Sequence, residues 1–243
     1  MRPGERTYTI VSTRGELYTV RLAFKHIKSF NIRVASDGSV KASAPCSAPE
    51  VVVRDFLQSR ADWVEAAVKR QRALAAARPR DNIENGGTVR IHGRAVAVNV
   101  TSGKKNRVEL HGDELWVAVR DTADAESVKK AVLTWQKRAA LEFLTQLTAE
   151  YLPAFARYGV CEMPKISVKT MKTRWGSCSY DKGRVSYNTA LLAVPTECAR
   201  YVVVHELAHF VYHDHSPRFH ALTAEVLPGA AQYRKKLKSE RLG

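Results

Sequence analysis

The chain has 243 residues, 45% of them hydrophobic and 26% charged, a composition that excludes general disorder and suits one large domain or two small ones. The 39 Lys and Arg against 24 Asp and Glu give a formal net charge of +15, a field that attracts polyanions but specifies neither a fold nor a nucleic-acid sequence. The N-terminus MRPGERTYTI lacks an apolar h-region and no run of about eighteen apolar residues occurs, so a soluble cytoplasmic protein is expected, without signal peptide or transmembrane helix.

Residues 7–44 contain four short β-like runs, TYTIVS, LYTVRLAF, SFNIRVA and SVKASA, with a hairpin turn signal at Asp37-Gly38. One long helix is expected over about 47–77. Ser47 and Glu50 have capping-box spacing, and Val53, Phe56, Leu57, Val64 and Val68 recur at helical spacing into an Ala- and Arg-rich tail ending near Pro79. The turn Asn85-Gly86-Gly87 opens a second β section, VRIHG, AVAVNV, RVEL and LWVAV, with a turn at Gly112-Asp113. A long helix follows from Asp121 to Asp124 onward; Pro153 should kink or end it, and Gly159 should close the segment. Strands are expected within 164–192 around a hairpin at Asp181-Lys182-Gly183. A helix runs from Pro195-Thr196-Glu197 to about Asp214, a second starts at Ser216-Pro217, and a basic helical tail follows Pro228-Gly229. No internal repeat of fixed period is visible. The whole reads as α+β, with a β-rich region over 1–120 that includes the 47–77 helix, and a second region over 121–243.

The chemistry is concentrated in VVVHELAHFVYHDHSPRFH. His205 and His209 lie four residues apart on one helical face, a spacing that lets two imidazoles meet one ion. Glu206 follows the first histidine and is placed as a general base for water rather than as a ligand. Zinc with an open coordination position needs a third protein ligand. His213 would lie about 12 Å along a straight helix from His205, so it cannot share the ion. The chain can turn back at Asp214-His215-Ser216-Pro217, which favours His215, with Glu225 on the next helix as the alternative. His213 and His220 are left as neighbours of the substrate or of the ligands. Cys46, Cys161, Cys178 and Cys198 form no CxxC pair and are read as free thiols.

Three blocks carry a resemblance: TRWGSCS over 173–179, RVSYNTAL over 184–191, and YVVVHELAHFVYHDHSPRF over 201–219. With weaker matches upstream, the chain resembles the YgjP-like metallopeptidases, relatives of the SprT-like zinc proteases. The resemblance implies a zincin-like C-terminal domain with a small sheet and an HExxH active helix. It also implies one zinc per chain on His205, His209 and His215, with Glu206 catalytic. One departure is that Phe219 is followed by His220 where the family usually has Phe-Trp. In TRWGSCS, Trp175 before Gly176 suggests a ring near a close backbone approach, and the strand could either pack or present its backbone to an extended substrate. Arg174 could hold an anion or pair with a carboxylate, Asn188 could bond near the site or to backbone, and Tyr212 or His213 could stabilise an oxyanion.

Three functions are carried forward. The first is a zinc metallopeptidase. The second is a nucleoside triphosphate (UTP-type) pyrophosphatase, an activity assigned within the resembled family, although no GxxxxGK[ST] loop is present. The third is a nucleic-acid-associated protein with a structural metal, against which the intact Glu206 argues.

Overall fold

The computed structural model describes residues 4–35, 37–76 and 81–240. It is a mixed α+β protein with three small sheets and six α-helices among the described residues. None of these helices is long and apolar enough to cross a membrane. The chain forms two compact units, Met1–Pro79 and Arg80–Gly243. The division expected between 120 and 121 falls inside the second.

In the first unit, β1 (Glu5–Val11), β2 (Leu17–Lys25), β3 (Asn31–Val34) and β4 (Val40–Pro45) form a sheet of order β1-β2-β4-β3, with β2 and β4 parallel. Alternation puts Ile10, Val20, Leu22, Phe24, Val40 and Ala42 on the buried face. Helices α1 (Glu50–Ser59) and α2 (Ala61–Ala76) cover that face with Val53, Leu57, Ala61, Val64 and Val68.

The single helix expected over 47–77 is therefore two. Arg60 leaves helical geometry at φ −100° and ψ 2°, its N–H donating to the Leu57 carbonyl, while the Ser59 hydroxyl donates to the Phe56 carbonyl. These local bonds tighten the turn without Pro or Gly. Ser47 does not cap; the N-cap is Pro49, with no side-chain bond. The expected helix end near Pro79 and most of the Ala/Arg run lie outside the described residues.

The second unit opens with β5 (Thr88–Ile91), β6 (Arg94–Ser102), β7 (Arg107–His111) and β8 (Glu114–Val119), in the order β5-β6-β8-β7 with β6 and β8 parallel. This is the topology of the first sheet again, followed again by helix, although the sequence shows no repeat. Helix α3 (Ala125–Tyr151) is capped by the Asp124 carboxylate, which accepts from the N–H groups of Glu126 and Ser127. A 3₁₀ segment over Leu152–Tyr158 contains Pro153, and Gly159 closes it at φ +84°, as expected.

Strands β9 (Lys165–Lys169), β10 (Gly176–Ser179) and β11 (Arg184–Asn188) form the third sheet in the order β10-β11-β9, which leaves β10 at an edge. Helices α4 (Thr196–Ala208), α5 (Pro217–Val226) and α6 (Ala230–Ser239) complete the unit. Val98, Leu115, Leu144, Tyr187, Leu207 and Phe219 belong to one core, so the second sheet and the last helices bury the same apolar interior.

Candidate metal centre

Helix α4 is a core helix: Cys198, Ala199, Val202, Val203, Val204, Leu207 and Ala208 are all buried. It ends at Ala208 with His209 as C-cap, not near Asp214 as expected. The N–H groups of Phe210 and Val211 reach back only three residues, to the carbonyls of Leu207 and Ala208, and this tighter winding ends the helix. The early exit lets the chain double back, and Ser216 restarts it by accepting from the Phe219 N–H at the head of α5.

That reversal delivers His215 to the other two histidines. Ring nitrogens of His205, His209 and His215 all lie within 4.8 Å of one another, and the Nε2 atoms of His205 and His215 are 3.1 Å apart. Three imidazole nitrogens bound tetrahedrally at 2.0–2.1 Å stand roughly 3.3 Å apart, so the set fits a zinc-sized ion. His209 Nδ1 lies 3.1 Å from the Tyr212 carbonyl, which can only accept. The proton is therefore on Nδ1, and Nε2 is left with its lone pair. Phe219, fully buried, packs against all three rings with centroids 4.8–4.9 Å away.

Electrostatics suits a cation. Burial, then the neighbouring His209 and His215, pushes His205 down to about 3. Burial also lowers His209. Both imidazoles are neutral near pH 7, the form that ligates a metal. Burial pushes the Glu206 carboxyl up to about 8 against the opposing charge of Arg174. Glu206 is 4% exposed, and the backbone of Gly176 on β10 lies directly against its side chain.

The YgjP-like, metallopeptidase domain profile matches residues 28–240. The chain belongs to the YgjP-like metallopeptidase family. Membership in a metallopeptidase family implies a divalent metal and a polypeptide substrate. No curated protein matches the chain. Among solved structures, the crystal structure of the metallopeptidase zymogen of Pyrococcus abyssi abylysin is 24% identical, covering 38% of this chain and 92% of that chain at a TM-score of 0.34.

The remaining candidates of this YgjP-like chain take different places. Glu225 is turned away: it pairs with Arg157 and accepts from the Tyr158 hydroxyl, outside the histidine group. His213 stacks on Tyr180 with centroids 3.6 Å apart, its Nδ1 3.0 Å from the His209 carbonyl. The His220 ring is 6.4 Å from that of His215. Tyr212 offers its backbone carbonyl to His209.

Asn188 is buried. Its Nδ2 donates to the carbonyls of Met171 and Arg174, and its Oδ1 accepts from the Ala190 N–H. The backbone alternative thus holds, and Asn188 fixes the loop that carries Arg174 and Trp175. Both of those side chains line a cavity beside Glu206. Sequence reasoning missed Phe219 as the floor of the histidine cluster, although its place three residues after the Ser216 cap could have signalled it. It also missed Arg234 and Lys238 on α6, which line the same cavity as Arg174; nothing in their local sequence separates them from the rest of the basic tail.

Proposed function

We propose that this chain is a zinc-dependent peptidase holding one ion per chain on His205, His209 and His215, with Glu206 as general base. The convergence of three imidazoles beside a buried carboxyl carries this reading. When bound, zinc would polarise the substrate carbonyl and lower the pKa of water. Glu206 takes the proton from the water whose oxygen bonds to the carbonyl carbon, then returns it to the amine as the C–N bond breaks. The edge strand β10 begins beside Glu206 and leaves one side unpaired within its sheet, so it can align an extended peptide by backbone hydrogen bonds.

The nucleoside triphosphate reading is less favoured, because among the described residues no carboxylate cluster accompanies the histidines. The test is Glu206→Gln. Zinc content and thermal stability should stay near wild type while peptide turnover falls by about 10²-fold or more. Full activity in this variant, or loss of zinc with it, would overturn the assignment.

A further inference from the structure

A cavity of about 260 Å³ adjoins the histidines, with His205 and Glu206 in its wall. Its charged lining is unbalanced. Arg174, Arg234 and Lys238 face it, and Glu206 is the one carboxylate among its lining residues. None of the three cations makes an ion pair or side-chain hydrogen bond among the described residues.

An arriving anion would relieve the repulsion within this set. Arg234 and Lys238 are four residues apart on α6, and like charges at that spacing repel. Arg174 comes from a different segment, its carbonyl held by Asn188 Nδ2 at 3.0 Å. Cations from two unconnected elements thus converge on one space. Trp175 and Leu237 supply apolar wall, which suits the methylenes of an acidic side chain.

Resting on the peptidase reading, we infer that this cavity is a specificity subsite that binds a carboxylate of the substrate within one or two residues of the scissile bond, through Arg174, Arg234 and Lys238. The carboxylate can belong to an Asp or Glu side chain or to a free C-terminus. Charge-assisted bonds from two or three cations would give about a tenfold preference over a neutral peptide. Salt would erode it, because the cations are solvent-exposed.

Two measurements on the full zinc-loaded chain test this. Wild-type enzyme is given a proteome-derived peptide mixture, and its cleavage sites are mapped by mass spectrometry. Asp, Glu or the C-terminus should be enriched within two residues of the cut; Arg234→Glu/Lys238→Glu should abolish or invert the enrichment, and Arg174→Gln should weaken it. In parallel, the Glu206→Gln protein is titrated by NMR with three probes: acetyl-Ala-Glu-Ala-amide, its Gln analogue, and the Gln analogue with a free C-terminus. One or both carboxylate-bearing probes should bind about tenfold more tightly than the neutral one, and which does so identifies the source. Equal affinity for all three, or a preference unchanged by charge reversal on α6, overturns the subsite. Selective binding without any wild-type cleavage would instead overturn the peptidase reading and leave the subsite standing.

Discussion

Gly176 and Glu206 are in contact to the limit that a glycine allows. A methyl group on Gly176 would lie 2.5 Å from Glu206 Oε1 and 2.9 Å from its Cγ and Cδ. The edge strand β10 and the buried helix α4 thus approach as closely as backbone against side chain permits. The carboxyl is fixed from the strand side while the core encloses it elsewhere, and the same enclosure raises its proton affinity.

Gly176→Ala should accordingly act through Glu206. The added methyl must displace the carboxyl, and a shift on the order of 1 Å at a catalytic group costs about 10²-fold in rate. Overpacking should also destabilise the fold by about 1–3 kcal/mol. Zinc content should be retained, because the three atoms nearest the added methyl all belong to Glu206 and none to a histidine. Wild-type turnover in a folded Gly176→Ala protein would show that the contact does not set the carboxyl position.

The parts of the site governed by local spacing were legible. His205 and His209 follow from the helical period, and His215 from the distance limit on His213 together with the Ser216-Pro217 restart. The end of α4 was not legible, because Phe210, Val211 and Tyr212 contain no helix breaker and the tightening comes from backbone bonds. The break at Arg60 escaped for the same reason. The lost Ser47 cap shows that a capping-box spacing is only permissive. Long-range packing was the least visible: Val98 and Leu115 share a core with Leu207 across about a hundred residues, and the repeated sheet topology leaves no periodic signature in the residues that form it. The same holds for the cavity wall, where Arg174 and Arg234 meet only through the fold.

Asn188 should behave as the peg of the Arg174–Trp175 loop. Asn188→Ala removes two donors from carbonyls and one acceptor from an N–H at a buried position, a loss of about 2–4 kcal/mol in chemical unfolding. Asn188→Asp should be no milder, since it sets an acceptor against the Met171 and Arg174 carbonyls. A change below about 0.5 kcal/mol in both variants would show that water replaces the side chain at no cost.

Cysteine reactivity should be graded by burial. Burial, with Glu206 and Asp181 adding, pushes the Cys178 thiol up to about 12, and burial pushes Cys198 up to about 11. Raised values keep both as unreactive thiols at neutral pH, and each unit of pH below the pKa lowers the thiolate fraction about tenfold. Cys161 is exposed. Iodoacetamide at pH 8 should therefore modify Cys161 first, with Cys178 and Cys198 protected until the chain unfolds. Labelling of Cys178 at the rate of Cys161, read by peptide mass mapping, would contradict the packing of β10 against α4.

Metal binding separates the ligands from their neighbours. His205→Ala, His209→Ala and His215→Ala each remove one of three converging nitrogens, so each should weaken zinc affinity by at least about 10²-fold. His213→Ala should leave stoichiometric zinc, because that ring stacks on Tyr180 and lies outside the cluster. His220→Ala and Glu225→Ala should do the same. On the proposed reading the ion binds only the folded chain, so zinc at 100 times its Kd would add about 2.7 kcal/mol of stability. A chelator should therefore lower the Tm of wild type and of His213→Ala, and leave that of His205→Ala unmoved. Metal analysis and thermal melts on the same preparations read both quantities. A His215→Ala protein that kept its zinc while His213→Ala lost it would mean that the chain does not double back after α4 as described, and the third ligand would have to be reassigned.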